Sequence, residues 1–89
     1  MCTYLTETLA VAGSGKGPGG EWLRVTDASV YLDHPVHALP AHTLNIDLRN
    51  PAVGPSGRVA LELSVDSARR LATAIMAALD SAPPGLAVD

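Results

Sequence analysis

Residues 58–80 read RVALELSVDSARRLATAIMAALD, and the apolar spacing changes within this stretch. Its first part alternates apolar and polar residues, which is typical of a β-strand with one buried face. The inward positions there are Val59, Leu61, Leu63 and Val65. Its second part carries one apolar stripe at the spacing of a helix. The stripe consists of Ala68, Leu71, Ala72, Ile75, Met76 and Leu79. The stretch therefore predicts a strand followed at once by an amphipathic helix.

The predicted helix has a signal at each end. Asp66 or Ser67 can cap its start, because a side-chain oxygen accepts a backbone N–H that the first turn leaves unpaired. The pair Pro83-Pro84 stops it, since proline has no N–H to donate. Residues 82–89 hold little that could pack, so they are predicted to form a flexible C-terminal tail after one domain of residues 1–81.

Three earlier stretches also alternate apolar and polar residues. Residues 3–11 and 42–48 do so cleanly, and residues 22–33 do so with an irregularity at Thr26-Asp27. The segments between the strands are rich in glycine and proline, which break regular structure. These segments are 12–20, 34–41 and 50–57. The order predicts an α+β fold, a four-stranded antiparallel meander with one C-terminal helix packed on one face. It becomes five-stranded if residues 22–33 divide into two strands.

Size and composition exclude several classes of protein. The chain has 89 residues, a formal net charge of −3 and only 3% aromatic residues. Because the six Lys and Arg are scattered, no nucleic-acid-binding surface is expected. No apolar run approaches the roughly 20 residues that span a bilayer, so no membrane association is expected. One cysteine and an N-terminus without a secretory pattern favour a cytoplasmic location.

The predicted helix is too narrow to cover the predicted sheet. Four strands make a sheet about 19 Å wide, whereas one helix with its side chains covers only about 10–12 Å. The remaining apolar surface is covered either by a sheet that curls around the helix or by a second copy of the chain. We expect the second copy, because a chain of this length has a thin core. The prediction is therefore a homodimer.

The three histidines lie within nine positions, around the connection between the second and third predicted strands. His34 and His42 continue the inward parity of their strands, so a hairpin can place them opposite each other, with His37 in mid-loop. Three imidazoles would suit one divalent transition metal, Zn²⁺, Cu²⁺, Ni²⁺ or Fe²⁺, and Cys2 could add a thiolate. The H-x2-H-x4-H spacing matches no defined zinc motif, so ordinary structural or solvated histidines are the alternative.

Two carboxylates are candidates for acid–base chemistry near the histidines. Glu7 interrupts the apolar face of the first strand, and Asp33 directly precedes His34. If Glu7 is buried, its pKa rises and it can act as a general acid or base. The alternative for Glu7 is a solvated position at the rim of the sheet. On the polar face, Tyr4 and Asp47 are candidates for contacting a small-molecule substrate.

The segment Gly13-Ser14-Gly15-Lys16-Gly17 looks like a phosphate-binding loop but lacks its signature. A Walker A loop needs G-x4-G-K-[ST], whereas Ala10 and Gly17 occupy the first and last of these positions here. No helix follows to bind an anion, so no nucleotide cofactor is expected. The segment is either a flexible connector or a lid from which Lys16 reaches an anionic substrate.

Four motifs resemble those of a family of short bacterial proteins to which we attach no activity, cofactor or substrate. They are MCTYLTE at 1–7, GSGKG at 13–17, DHP at 33–35 and HTLNID at 42–47. The resemblance implies a complete, free-standing protein and transfers no functional residue.

Two functions fit these observations. One is a small enzyme whose metal is held by His34 and His42, together with His37 or Cys2. It would carry out a lyase, isomerase or hydrolase reaction on a small polar metabolite. The other is a non-catalytic, dimeric ligand-binding or accessory protein in which the histidines are structural. The residues show no diagnostic spacing, so both functions stay open at this point.

Overall fold

A computed structural model describes residues 5–37 and 41–86. Within these residues the chain forms four strands and one α-helix. They are β1 (Thr6–Lys16), β2 (Trp22–Asp33), β3 (Thr43–Arg49), β4 (Arg58–Leu63) and α1 (Val65–Asp80), with a 3₁₀ turn at Pro51–Val53. Each strand pairs antiparallel with the next, and the sheet order is β1-β2-β3-β4. The predicted α+β fold, a four-stranded meander with one C-terminal helix, is confirmed.

The strand register gives the sheet one apolar and one polar face, because directly paired residues project to the same side. The central rows of the apolar face are Val30–Ile46–Leu61 and Leu32–Leu44–Leu63. The polar face carries the rows Ser29–Asp47–Ala60 and Tyr31–Asn45–Glu62. The helix α1 lies on the apolar side, since Leu71 and Ile75 line one cleft together with Ile46.

The strand β1 extends beyond the end that the sequence predicts. Residues 12–16 belong to this strand, and residues 13–16 pair with the first half of β2, so the predicted irregular segment is wrong over residues 12–16. The register shifts between Ala10 and Gly13. The irregularity predicted at Thr26-Asp27 therefore lies in β1, and β2 is one unbroken strand.

At Gly15 the far end of the β1–β2 hairpin lies close to a side chain of β4. An ideal Cβ at Gly15 would lie 3.4 Å from Cγ2 of Val25 and 3.5 Å from Cγ2 of Val59, so both side chains close over the glycine. Because β1 and β4 are the two outer strands, this contact begins to curl the sheet at one end.

The helix α1 begins earlier than predicted. Ser64 is its N-cap, and the Oγ of Ser64 accepts a hydrogen bond from the N–H of Ser67 at 3.2 Å. The prediction of Asp66 or Ser67 as the cap is therefore wrong. Serine at the end of a strand can satisfy an unpaired amide of the next helix directly. As a result Val65, predicted as an inward strand residue, is the first residue of the helix.

The helix packs only loosely on the sheet. No residue of α1 is buried. Four apolar residues of its stripe are largely exposed, namely Leu71 (40%), Ile75 (51%), Met76 (57%) and Leu79 (63%). Over residues 5–37 and 41–86, the buried apolar side chains are those of Val25 and Ala28. In the same part of the chain no helix has the length and hydropathy needed to cross a membrane.

Gly57, in the turn before β4, has no room for a side chain. An ideal Cβ there would lie 2.8 Å from Cβ of Val53 and 2.9 Å from the carbonyl oxygen of Asn50. Gly57→Ala should therefore force the turn to shift and lower the free energy of unfolding by about 2 kcal/mol. Gly19→Ala is the matched control, because no atom lies within 4 Å of its ideal Cβ. Urea denaturation followed by circular dichroism compares the variants, and equal midpoints would contradict the steric argument.

Candidate functional site

A pocket of about 210 Å³ lies on the polar face of the sheet, beside the segment that follows β2. Its strand residues come from β2, β3 and β4, and His34 and Val36 contribute from the connection between β2 and β3. The polar strand residues that line it are Tyr31, Asp33, Asn45, Asp47, Arg58 and Glu62. The pocket therefore brings three carboxylates and one guanidinium together on adjacent strands.

Asp47 accepts hydrogen bonds from both neighbouring strands. The hydroxyl of Tyr31 on β2 donates to Oδ2 at 3.1 Å. The guanidinium of Arg58 on β4 donates to Oδ1 through Nε at 3.2 Å and through Nη2 at 2.8 Å. The side chain of Asp47 is 15% exposed and that of Arg58 is 51% exposed. The carboxylate therefore lies in the floor of the pocket, with the guanidinium at its rim.

The surroundings of Asp47 fix the protonation states of its two partners. Burial raises the pKa of the Tyr31 hydroxyl, and the charge of Asp47 and the hydrogen bond to it raise that pKa further, against smaller effects of Asn45 and Arg58. The hydrogen bond to Asp47 and the charge of Asp47 raise the pKa of the Arg58 guanidinium. Tyr31 is therefore a hydroxyl donor at neutral pH, and Arg58 is a permanent cation.

Tyr31 should make stability fall at alkaline pH. A group whose pKa is higher in the folded state stabilises fully below its unfolded pKa, here about 10. That contribution is lost as the pH rises through the folded pKa. We expect the free energy of unfolding to fall above about pH 10, and to fall less steeply in Tyr31→Phe. Urea denaturation at a series of pH values measures both slopes, and identical slopes would contradict a role for Tyr31.

Several residues of the polar face, of which Asn45 lines the pocket, are buried although they are polar. Thr43 is fully buried, Asn45 is 6% exposed and Ser29 is 8% exposed. The hydroxyl of Thr43 donates to Oδ1 of Asn45 at 2.6 Å, and the Asn45 side chain also hydrogen-bonds to Tyr31. Such buried polar groups need partners, because an unpaired one costs about 1–3 kcal/mol. The polar face is therefore a hydrogen-bonded, partly enclosed surface.

Glu62 holds the connection between β2 and β3 against β4. Its Oε2 accepts a hydrogen bond from the N–H of Val36 at 2.5 Å, and its Oε1 accepts one from the N–H of His37 at 3.0 Å. One carboxylate thus binds two consecutive backbone amides of an otherwise irregular segment. This contact fixes one wall of the pocket.

His34 and His42 stack on each other just beyond the paired ends of β2 and β3. Their ring centroids are 4.6 Å apart and their planes meet at 29°. They follow the Asp33–Thr43 pair, the last in the β2–β3 ladder. Nδ1 of His34 lies 2.7 Å from the carbonyl oxygen of Ala41. Because a carbonyl oxygen only accepts, Nδ1 is the donor in this hydrogen bond, and in the neutral imidazole Nε2 then carries the lone pair.

Over residues 5–37 and 41–86, no group of three or more His, Cys, Asp or Glu side chains is placed to hold a metal ion. Of the other predicted ligands, His37 lies in the segment that Glu62 holds, and Cys2 lies outside the described residues. Lone pairs of stacked imidazoles lie in nearly parallel ring planes. Both rings could therefore ligate one ion only after turning toward it.

Two residues predicted for catalysis or substrate contact line the pocket. Oδ1 of Asp33 accepts a hydrogen bond from the N–H of His34 at 2.7 Å. Asp47 lies in the pocket floor between Tyr31 and Arg58. Tyr4, predicted to contact the same substrate, lies outside the described residues.

The remaining two predicted residues lie elsewhere on the sheet. Glu7 is exposed and pairs with Val30, which places it on the apolar face of the outer strand β1, away from the pocket. Lys16 is the last residue of β1, and its Nζ lies 5.0 Å from the centre of the Trp22 ring. This contact is a cation–π interaction at the end of the hairpin.

Sequence patterns alone do not identify Arg58 or the contact of Glu62 as parts of this site. The alternation along β4 does place Arg58 on the polar face, since it stands two residues before Ala60 and four before Glu62. The contact of Glu62 joins β4 to amides of an irregular segment 25 and 26 residues earlier. No periodic pattern in the sequence marks such a contact.

Comparison with known proteins yields a family match over nearly the whole chain. The model of a family of unknown function (DUF6295) matches residues 1–88. No curated protein and no solved structure gives a match.

Proposed function

The chain belongs to the DUF6295 family, and we propose that it is a small-molecule-binding protein whose polar pocket takes a compact, amine-bearing ligand. The observation that carries the proposal is the pocket on the polar face, with three carboxylates and one guanidinium around a hydrogen-bonded floor. A cytoplasmic location is part of the proposal, supported by the single cysteine, which leaves no internal disulfide.

The formal charge of the pocket favours a cationic ligand. Asp33, Asp47 and Glu62 are acidic and Arg58 is a cation, so with His34 counted as neutral the lining carries a formal charge of −2. An ammonium group donates three hydrogen bonds, and carboxylate oxygens are strong acceptors for them. A ligand carboxylate would instead meet the like charges of these three side chains. We therefore expect an amine to bind more tightly than an acid of equal size.

The volume of the pocket limits the ligand to a small molecule. A water molecule in the liquid occupies about 30 Å³, so a pocket of about 210 Å³ holds roughly seven non-hydrogen atoms. Short diamines and amino alcohols have this size. The substrate class anticipated from the sequence, a small polar metabolite, is retained with an amine as its recognition group.

The groups at the centre of the pocket suit binding better than proton transfer. A general acid or base works best when its pKa lies near the working pH. The pKa values of Tyr31 and Arg58 are both raised, away from neutrality. Both groups therefore keep their protons and orient Asp47, whose two oxygens they occupy.

Three probes of equal size test the charge preference. We expect 1,4-diaminobutane to bind at least about tenfold more tightly than the uncharged 1,4-butanediol, and butyrate not to bind.

Glu62→Gln should weaken binding of the diamine by about tenfold, since it removes a charge and loosens the pocket wall. The control Glu21→Gln makes the same change at an exposed turn residue and should leave binding unchanged. Isothermal titration calorimetry reports each affinity. Equal affinity for the diamine and the diol would contradict the proposal.

A second candidate function is a metal-dependent lyase, isomerase or hydrolase, which the contact between His34 and His42 supports. Nε2 of His34 would ligate the ion, with His42 turned toward it and Cys2 or His37 as a further ligand. Asp33, next to His34, would then act as acid or base.

Elemental analysis of untagged protein separates the two functions. The metal-dependent enzyme requires about one equivalent of Zn, Cu, Ni or Fe per chain, lost in the double variant His34→Ala, His42→Ala. Metal-free protein that binds the diamine contradicts the enzyme and supports the binding protein.

A further inference from the structure

An open apolar cleft of about 420 Å³ separates α1 from the sheet. The strands contribute Val30, Ile46 and Leu63 to it, and the helix contributes Leu71 and Ile75. A helix in a globular protein gains most of its stability by packing its apolar stripe, since isolated helices of about 15 residues are marginal in water. In α1 no residue is buried. One copy of the chain therefore gives the helix few of the apolar contacts that normally stabilise it.

The total solvent-accessible surface of the chain shows how much surface one copy leaves uncovered. Its solvent-accessible area is 6738 Å², whereas a compact monomer of 9.2 kDa exposes about 4,900 Å². The excess of about 1,800 Å² is more than the roughly 800 Å² that each partner buries in an interface of standard size. For two copies the excess totals about 3,600 Å², which falls in the range of roughly 2,000–5,000 Å² buried in total by obligate homodimer interfaces. An excess of this size calls for an extended partner, such as a second copy, rather than a short peptide.

The charges of α1 favour an antiparallel arrangement of two helices. The N-terminal half carries Arg69 and Arg70 with Asp66, a net charge of +1, and the C-terminal end carries Asp80. Antiparallel helices bring the basic half of one copy to the acidic end of the other, whereas parallel helices bring like charges together. The interaction between the two helix dipoles also favours the antiparallel arrangement.

We propose that two copies of this chain form a C2-symmetric dimer through the apolar cleft, with their α1 helices antiparallel and crossing near Ile75. Leu71 of each copy then faces Leu79 of the other, as a self-complementary contact requires. The apolar sheet faces close over the helix pair. The dimer does not depend on ligand binding, since the pocket lies on the opposite face of the sheet.

Sedimentation equilibrium of the untagged, full chain tests the dimer. The expected mass is about 18 kDa, twice the 9.2 kDa of one chain. Ala72→Glu places a charge among the residues of the cleft and should weaken association by about 100-fold. Ala77→Glu makes the same change on the side of α1 that faces away from the cleft, and should leave association unchanged.

If Ala72→Glu does not fold, disulfide cross-linking of a cysteine variant tests the same dimer. In a Cys2→Ser background, Ile75→Cys places two thiols beside the two-fold axis, so air oxidation should join the copies by a disulfide. Ala77→Cys should not cross-link in this way. A wild-type chain that sediments at about 9 kDa and keeps its helical circular dichroism overturns the proposal. If that monomer binds 1-anilinonaphthalene-8-sulfonate, the cleft takes small apolar molecules instead.

Discussion

Asp47→Ala is expected to lower the free energy of unfolding by about 3 kcal/mol. The substitution leaves two groups unpaired at once, because Tyr31 and Arg58 both donate to this carboxylate. The hydroxyl of Tyr31 is partly buried and accounts for about 1–3 kcal/mol of the loss. The guanidinium of Arg58 is half exposed and can be hydrated, so its share stays below about 1 kcal/mol.

Asp66→Ala is the matched control for this variant. Asp66 also pairs with an arginine, Arg70, one helical turn away, but both side chains are more than two-thirds exposed. Such pairs contribute about 0.3–0.5 kcal/mol, and an acidic residue in the first turn adds a similar amount. Urea denaturation of both variants gives the comparison. A loss for Asp47→Ala no larger than that for Asp66→Ala would contradict the role given to Asp47.

Thermal unfolding of the wild-type chain is expected to depend strongly on its concentration. In the proposed dimer, unfolding is coupled to dissociation, so dilution favours the unfolded chains. A hundredfold dilution should lower the unfolding free energy by about 2.7 kcal/mol per dimer and lower Tm by about 7 °C.

Circular dichroism melts at two concentrations, about a hundredfold apart in the same buffer, measure this dependence. Ala77→Glu should show the same shift as the wild-type chain, whereas Ala72→Glu should melt at a lower temperature with little dependence on concentration. A wild-type Tm that does not move on dilution would contradict the coupling between folding and association.

Most of the fold can be predicted from the spacing of apolar residues along the sequence, because nearly every strand and the helix have one apolar side. The strands predicted at residues 42–48 and 58–65 end within two residues of the observed β3 and β4. Residues 12–16 could not be predicted in the same way. Glycine and serine there carry no alternation, and backbone pairing with β2 decides their conformation.

The candidate site follows from the sequence only in part. Parity alone places Asn45, Asp47 and Glu62 on one face, and the hairpin register brings His34 and His42 together. Whether two neighbouring imidazoles stack or converge depends on their ring orientation, which strand register does not determine. The pocket wall that Glu62 fixes depends on the path of the irregular segment between β2 and β3. Local sequence patterns do not predict that path.

The position of Glu7 affects whether further strands can add to the open edge of the sheet. Glu7 sits on the apolar face of β1, an outer strand whose far edge has no neighbour among the described strands. A further strand added to that edge would enclose the carboxylate among apolar side chains, and desolvating an unpaired charge is costly. Inward-pointing charges on edge strands protect β-proteins against fibril growth in this way. We therefore expect the residue that interrupts the apolar pattern to oppose polymerisation through the backbone of this edge strand.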